Sequence, residues 1–400
     1  MPDSVPRVLA ILPGLVASTW MDVVRPLLML QQMGRIQFRA AVDFAARPSL
    51  VDWADGVVFC RNVDPRYSYL LQRVLQRSKP YIYDLDDNFF DVPMDTELGR
   101  YYRAEAQQAF LRAYLSYADL VRVYSPVLQE RVRPWNAKAV LVSPPLNWSL
   151  ILPPERRKGA PLRIVYATSR AEDLLSAIFL PAVQRVLKTY AGRVEAHFLG
   201  YFPPEMKNLD GVVHVPYQPN YDAFLQFFSR QGYDIGLAPL QDDVFHRSKT
   251  NNKFREYAAC QVAGIYSDVD LYSDCVVNRQ TGLLVHNDVE AWYAALVQLV
   301  EDETLRETIQ KQAFEEVRQR YDEKAFAEVW WQQIQQVLSC SREARSLPMH
   351  SVEQGGMRRG RVRVLLDRLR AVGVAGAWRA VVSRLYHSWM LWRINVGKRL

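Results

Sequence analysis

The stretch Ser248-Lys249-Thr250-Asn251-Asn252-Lys253-Phe254-Arg255-Glu256-Tyr257-Ala258-Ala259 gathers more chemically useful side chains than any other in the chain. It follows an apolar run, Asp234–Leu240, that reads as a strand with Pro239 closing it, and it opens a helix. A strand, a polar loop and a helix start together form an anion site. The first-turn amides have no partner inside the helix, and the helix dipole is positive at that end. Lys249 and Lys253 add cationic charge where a diphosphate would lie. Glu256, one turn after Asn252, offers two acceptor oxygens, the complement of a ribose diol. The purely structural alternative makes the lysines solvated loop charges and Glu256 a surface helix residue. Just upstream, His246 reads as a solvent-facing loop residue.

Two further stretches carry chemistry. Arg163-Ile164-Val165-Tyr166-Ala167-Thr168-Ser169-Arg170 reads as a strand running into a helix that carries Asp173. Small Thr168 and Ser169 allow close backbone approach by a ligand, and Arg170 could pair with phosphate; alternatively, Ser169 caps the helix. Tyr83-Asp84-Leu85-Asp86-Asp87-Asn88 follows another strand. Its Asp84-x-Asp86 spacing could hold a divalent cation on a diphosphate. Asp86 and Asp87 could instead bind substrate hydroxyls or activate an acceptor, or simply cap a loop.

These residues must be carried by an alternating scaffold. Strand patterns at Arg7–Leu12, Gly56–Phe59, Tyr81–Tyr83, Leu120–Tyr124 and Ala139–Val142 alternate with helical patterns at Met21–Met33, Arg66–Arg77 and about Leu98–Tyr117. Such alternation predicts a parallel sheet covered by helices. Pro144, Pro145, Pro153 and Pro154 then break regularity before charged Glu155–Lys158, a linker pattern. A second alternation has strands at Arg163–Ala167, Glu195–Leu199, Asp234–Ala238 and Val262–Ser267, with helices at Val289–Val300 and Leu305–Arg320. The expected fold is therefore α/β, with two doubly wound Rossmann-like domains facing a cleft. The first spans 1–158, completed by a helix at about 322–339. The second spans 159–321. A joint at 340–360 and a basic amphipathic helical tail at 361–400 follow.

Composition narrows the class. The chain has 400 residues, is 49% hydrophobic, and carries a net charge of +7. Residues 351–400 hold eleven Lys or Arg and two acidic residues, a local net of +9 that leaves the rest near neutral. Basicity confined to a tail does not make the body a nucleic-acid binder. In that tail Arg358, Arg359, Arg361 and Arg363 cluster, and Trp378, Trp389 and Trp392 lie on one helical face. The pattern predicts a contact with an anionic membrane surface or a protein partner. Cys60, Cys260, Cys275 and Cys340 are scattered with no CxxC pair, which suits a reducing, cytoplasmic setting. The apolar start Val8–Val16 is broken by Pro13-Gly14 and reads as a buried strand rather than a leader.

The lysine stretch resembles the retaining GT-B glycosyltransferases of the glycosyl transferases group 1 family. The likeness continues through Ala258-Ala259, Val262–Ser267, Thr281-Gly282-Leu283-Leu284-Val285 and Asn287-Asp288. The resemblance implies that 159–321 binds the donor, a nucleoside-diphosphate sugar, through Ser169, Arg170, Ser248, Lys249, Thr250, Asn251, Lys253 and Glu256. Glu256 matches the family's ribose-binding Glu, while Ser248 stands where the family carries a first Glu on the donor sugar. Tyr83-Asp84-Leu85-Asp86-Asp87 is similar to a loop of one subgroup, which implies a catalytic role for Asp86 and Asp87 without a bound metal. The resemblance implies retention of configuration as well; transfer to a glycan or lipid-linked acceptor in surface polysaccharide synthesis is the expectation, though no motif names the acceptor. The family's first-domain His is absent, and only Gly14 remains of its glycine-rich loop. A non-catalytic nucleotide- or glycan-binding module of the same fold is the alternative.

Overall fold

The structure is a computed structural model that describes residues 5–155, 159–169, 173–340, 343–347 and 386–395. The chain forms two compact units, Met1–Pro144 with Lys324–Leu400, and Pro145–Glu323.

In the first unit, β1 (Arg7–Leu12), β2 (Gln37–Val42), β3 (Gly56–Cys60), β4 (Tyr81–Leu85), β5 (Leu120–Val123) and β6 (Ala139–Leu141) form one sheet. All neighbours are parallel, in the order β2-β1-β3-β4-β5-β6. Helices α1 (Arg25–Gln32), α2 (Pro48–Trp53), α3 (Ser68–Gln76), α4 (Glu97–Tyr102), α5 (Glu105–Tyr117) and α6 (Pro126–Val132) make the crossovers. Parallel strands covered on both faces must be apolar throughout, and β1 and β3 show this: Leu9–Leu12 and Gly56–Cys60 are all buried. The single helix expected over Leu98–Tyr117 is two, because Ala104 takes extended backbone between α4 and α5. Tyr102 of α4 stacks on Phe89 at 3.9 Å, which fixes the first piece over the acidic loop.

In the second unit, β7 (Leu162–Thr168), β8 (Val194–Gly200), β9 (Val212–Val215), β10 (Ile235–Ala238), β11 (Ala263–Ser267) and β12 (Leu283–Val285) pair in parallel. Their order is β12-β11-β10-β7-β8-β9. Counted within the unit, this is the 3-2-1-4-5-6 order of dinucleotide-binding domains. The helices are α7 (Asp173–Thr189), α8 (Tyr221–Arg230), α9 (Val244–Arg247), α10 (Asn252–Ala259), α11 (Asp270–Ser273), α12 (Val289–Glu301) and α13 (Glu303–Arg320). Phe179, Val183 and Val186 of α7 pack with Trp292, Leu296 and Leu299 of α12 on one face of the sheet. Phe254, Tyr257 and Ala258 of α10 pack with Val317 of α13 in a second core.

The chain then adds α14 (Glu323–Leu338) and α15 (386–395). From Lys324 on, these lie in the first unit, where Trp330, Ile334, Leu391 and Ile394 join the core formed by β1 and α1. Trp330 is fully buried and donates its indole N–H to the Asp22 carbonyl at 2.8 Å. Most of the expected joint at 340–360 and tail at 361–400, with Arg358, Arg359, Arg361, Arg363 and Trp378, lies outside the described residues.

Candidate functional site

In an open parallel sheet, ligands bind beyond the carboxyl ends of the strands where the strand order reverses. In the second unit that point lies between β7 and β10. β7 ends at Thr168, followed by exposed Ser169. α7 is described from Asp173 onward, with 170–172, and so Arg170, outside the described residues. Gly200, at the end of neighbouring β8, takes φ +89°, and a Cβ there would come within 2.3 Å of the Thr168 carbonyl. Only glycine lets these two strand ends lie so close.

The other side of the switch point is the loop from β10 to α10. Its start is clamped: Leu240 N–H donates to Ser267 Oγ at 2.8 Å, Ser267 donates to Asn287 at 2.6 Å, and Asn287 donates to the Leu240 carbonyl at 2.9 Å. Tyr257 of α10 lies flat against β10 at Gly236, where a Cβ would come within 2.5 Å of its ring. These contacts fix where α10 starts. His246 is buried, not solvent-facing; its Nδ1 lies 2.8 Å from Asp243, whose other oxygen caps α9. Ser248 is 0% exposed, and its hydroxyl donates to the Val244 carbonyl at 2.6 Å.

Asn251 occupies the cap position of α10 yet makes no capping bond. Its side chain is used elsewhere: the amide donates to Tyr321 Oη at 2.8 Å, and the oxygen accepts from Arg255 Nε at 3.1 Å. Arg255, almost wholly buried, also donates to Asn252 and the Pro145 carbonyl. Thr250 donates to Asn252 Oδ1 at 2.9 Å. Thr250, Asn251 and Asn252 are thus bound into a frame centred on Arg255. Turning the Asn251 side chain away leaves the first-turn amides of α10 without a side-chain cap, the condition under which a helix start takes up an anion.

Lys249 sits partly exposed with its Nζ 4.9 Å from the centre of the Phe245 ring. Among the described residues it has no carboxylate partner, so its charge is available to a ligand. Lys253 Nζ donates to Glu256 Oε2 at 2.8 Å, and Tyr221 of α8 donates to Glu256 Oε1 at 3.2 Å. Burial and the neighbouring carboxylate raise the Tyr221 pKa well above its ordinary value, so the phenol remains a donor. Glu256 is 6% exposed, not a surface residue, and each oxygen keeps a further lone pair.

The acidic loop belongs to the first unit, at the end of β4. Asp84 is 0% exposed; one carboxylate oxygen accepts from Arg122 Nε at 2.9 Å and Tyr124 Oη at 2.8 Å. Burial lifts its pKa from 3.8 to about 6 despite Arg122. The Asp84-x-Asp86 spacing therefore does not present two open carboxylates for a cation. Asp86 and Asp87 share Arg61: Asp86 Oδ1 lies 3.1 Å from Nε, and Asp87 Oδ2 lies 2.7 Å from Nη2. Burial raises the Asp86 pKa, opposed by Arg61 and reinforced by Asp87. Burial works against the Arg61 charge too, but Asp86 and Asp87 outweigh it and raise its pKa. Arg61 directly follows β3 at φ 61°, an uncommon conformation for a residue with a side chain. Its third nitrogen donates to Ser18 Oγ at 3.0 Å.

Arg61, Tyr221, Arg255 and Tyr321 were not visible as site residues in the sequence. Arg61 left one signal, its place directly after a strand at a carboxyl end. Tyr221 left none, since thirty-five positions separate it from Glu256.

Two doubly wound units with these sheets and C-terminal helices have the fold of the GT-B glycosyltransferases. Among solved structures, the chain is similar to a sucrose-phosphate synthase from Thermosynechococcus elongatus, with 14% identity, TM-score 0.64, and 84% of this chain and 100% of that one covered. It is similar to a glycosyltransferase from Rickettsia africae, with 12% identity, TM-score 0.60, and 84% and 99% covered. It is similar as well to Anabaena HepE in complex with UDP-glucose, with 10% identity, TM-score 0.59, and 83% and 100% covered. The sequence matches no protein-family model and no curated protein.

Proposed function

We propose that the chain transfers a sugar from a nucleoside-diphosphate sugar to a glycan or lipid-linked acceptor, in surface polysaccharide synthesis and with retention of configuration. The observation that carries this reading is the loop at the β7/β10 switch point. It combines an uncapped helix start, the open charge of Lys249 and the buried carboxylate of Glu256. Lys249, Lys253 and the α10 amides stabilise the departing diphosphate, the group on which charge develops. Glu256 accepts from the ribose hydroxyls, and Ser169 lines the diphosphate. Ser248 acts through the loop backbone rather than its hydroxyl, which is committed to Val244. Arg170 extends toward phosphate in the same proposal. Asp86 and Asp87 engage the reacting hydroxyls, and no tightly bound metal or cofactor enters. UDP-glucose, the donor bound by HepE, is the first probe, and UDP-sugars the first class.

A donor-hydrolysis screen over nucleotide sugars tests the proposal; release of nucleoside diphosphate from one of them is expected. Replacing Asp86 and Asp87 by Asn should cut turnover by roughly a hundredfold or more while nucleotide affinity holds, as for groups that move protons. A second reading, a non-catalytic binding module, draws support from Ser248 in place of a donor-sugar carboxylate. Tight nucleotide binding with no hydrolysis and no transfer would favour it. The proposed setting is cytoplasmic, with residues 358–400 recruiting the chain to a membrane or a protein partner. No helix among the described residues is long and apolar enough to cross a membrane.

A further inference from the structure

The tail helix α15 has two unlike faces. Met390, Leu391 and Ile394 are buried, the last two in the core of the first unit with β1 and α1. Asn395 fixes the same face: its side chain accepts from Ala40 N–H and donates to the Ala40 carbonyl, both at 2.9 Å, on edge strand β2. At the other end, His387 approaches Gly14, where a Cβ would lie 3.2 Å from its Nδ1. Docked in this way, the helix can turn only one side outward. That side carries Tyr386, Trp389 and Trp392, which are 44%, 48% and 52% exposed. Arg393 stands 4.9 Å from the centre of the Trp389 ring. Val16, two residues after Gly14, is exposed too.

We infer that this aromatic face is a contact surface for an anionic lipid bilayer. It commits the tail to one of the two partners named above and does not depend on glycosyl transfer. Indole and phenol rings pair an apolar body with a polar edge, so they settle at the headgroup level of a bilayer. No helix among the described residues is long and apolar enough to cross, and a helix docked along one side meets a bilayer with its other side, in that plane. Charge selects the lipid surface. The last fifty residues carry a net of +9, while the remainder of the chain is near neutral. Basic side chains beside interfacial aromatics complement anionic headgroups. Because Leu391, Ile394 and Asn395 hold the helix to the first unit, that unit is brought to the membrane as a body, not on a tether.

Flotation of the full chain with vesicles tests this, using phosphatidylcholine alone and phosphatidylcholine mixed with phosphatidylglycerol. Binding should require phosphatidylglycerol and weaken at high salt. Trp389→Ser with Trp392→Ser should lower it by about tenfold or more. The thermal midpoint of that variant should stay unchanged, because the docked face is intact. Absence of binding to phosphatidylglycerol vesicles at low salt overturns the inference. So does equal binding by the double variant, which would leave the attraction to the basic segment alone. If the intact chain instead self-associates and the double variant is monomeric, the face belongs to a second copy and the lipid assignment falls. No donor is present in these measurements, so their failure leaves the hydrolysis result standing.

Discussion

The two charged loops of this protein, one in each unit, are near mirror images in charge and opposites in how that charge is kept. Each follows a strand at the carboxyl end of a parallel sheet. In the first unit, two carboxylates close on one buried guanidinium, and Asp86, Asp87 and Arg61 neutralise most of each other's field. In the second, Lys253 and Glu256 pair, yet Lys249 has no carboxylate beside it among the described residues and the helix start adds its own positive end. A loop that spends its charge internally holds shape; a loop that keeps charge unspent holds a ligand. In the proposed reaction the first arrangement holds Asp86 and Asp87 in place to meet substrate hydroxyls, and the second supplies charge for the diphosphate.

The largest expected effect is from Arg61→Met. It strands Asp86 in a buried site without its counter-ion, a loss of about 3–5 kcal/mol by chemical denaturation. The corresponding break in the other loop, Lys253→Met, should cost under about 1 kcal/mol, because Lys253 is partly exposed to solvent. Equal costs would erase the distinction drawn above.

Next comes a pH effect confined to the first unit. Asp84 titrates near its ordinary value of 3.8 when unfolded and at about 6 when folded. Between those values the folded chain holds a proton that the unfolded chain has lost. Its contribution to stability is therefore full below about 4 and declines as pH rises through about 6, by on the order of 3 kcal/mol. Denaturation from pH 4 to 7, compared with the paired replacement Asp84→Asn and Arg122→Met, isolates this slope. A difference that stays flat with pH would remove Asp84 as its source.

In the second unit, Lys249→Ala should weaken UDP by about 1.5–3 kcal/mol and leave uridine unchanged, as read by calorimetry. Equal losses for both ligands would make Lys249 a folding residue. The smallest effect on nucleotide binding is expected for Glu256→Gln, about 1–2 kcal/mol on UDP and on uridine alike, since the ribose belongs to both. A loss seen only with UDP would move Glu256 from the ribose to the diphosphate.

Apolar strands were legible from sequence because parallel strands covered on both faces cannot hide their composition. β1 emerges with its expected ends, Arg7 and Leu12. Of the four edge strands only β6 was expected, as Ala139–Val142. β2 exposes Gln37 and Arg39, and β9 exposes Val213 and His214, so neither shows an unbroken apolar run. β12, only three residues long, gives too short a signal to stand alone. Charged residues of the candidate site were legible by type, since Lys249, Lys253 and Glu256 follow one strand in order. Their restraints were not, because Tyr321 reaches Asn251 across seventy positions and Arg61 reaches Asp87 across twenty-six. Local spacing carries no trace of either.

The Asn395 side chain has a consequence for handling the chain. It meets Ala40 as another strand would, giving one acceptor and one donor to an edge where the Gln31 side chain already accepts the Phe38 N–H at 2.7 Å. Open edges recruit strands from other molecules, and sheet proteins protect them by covering or charging them. A chain ended before α15 would lose that cover and uncover the apolar seat of Leu391 and Ile394 as well. Its first symptom would be edge-to-edge aggregation in concentrated solution, seen as turbidity before any change in the unfolding curve.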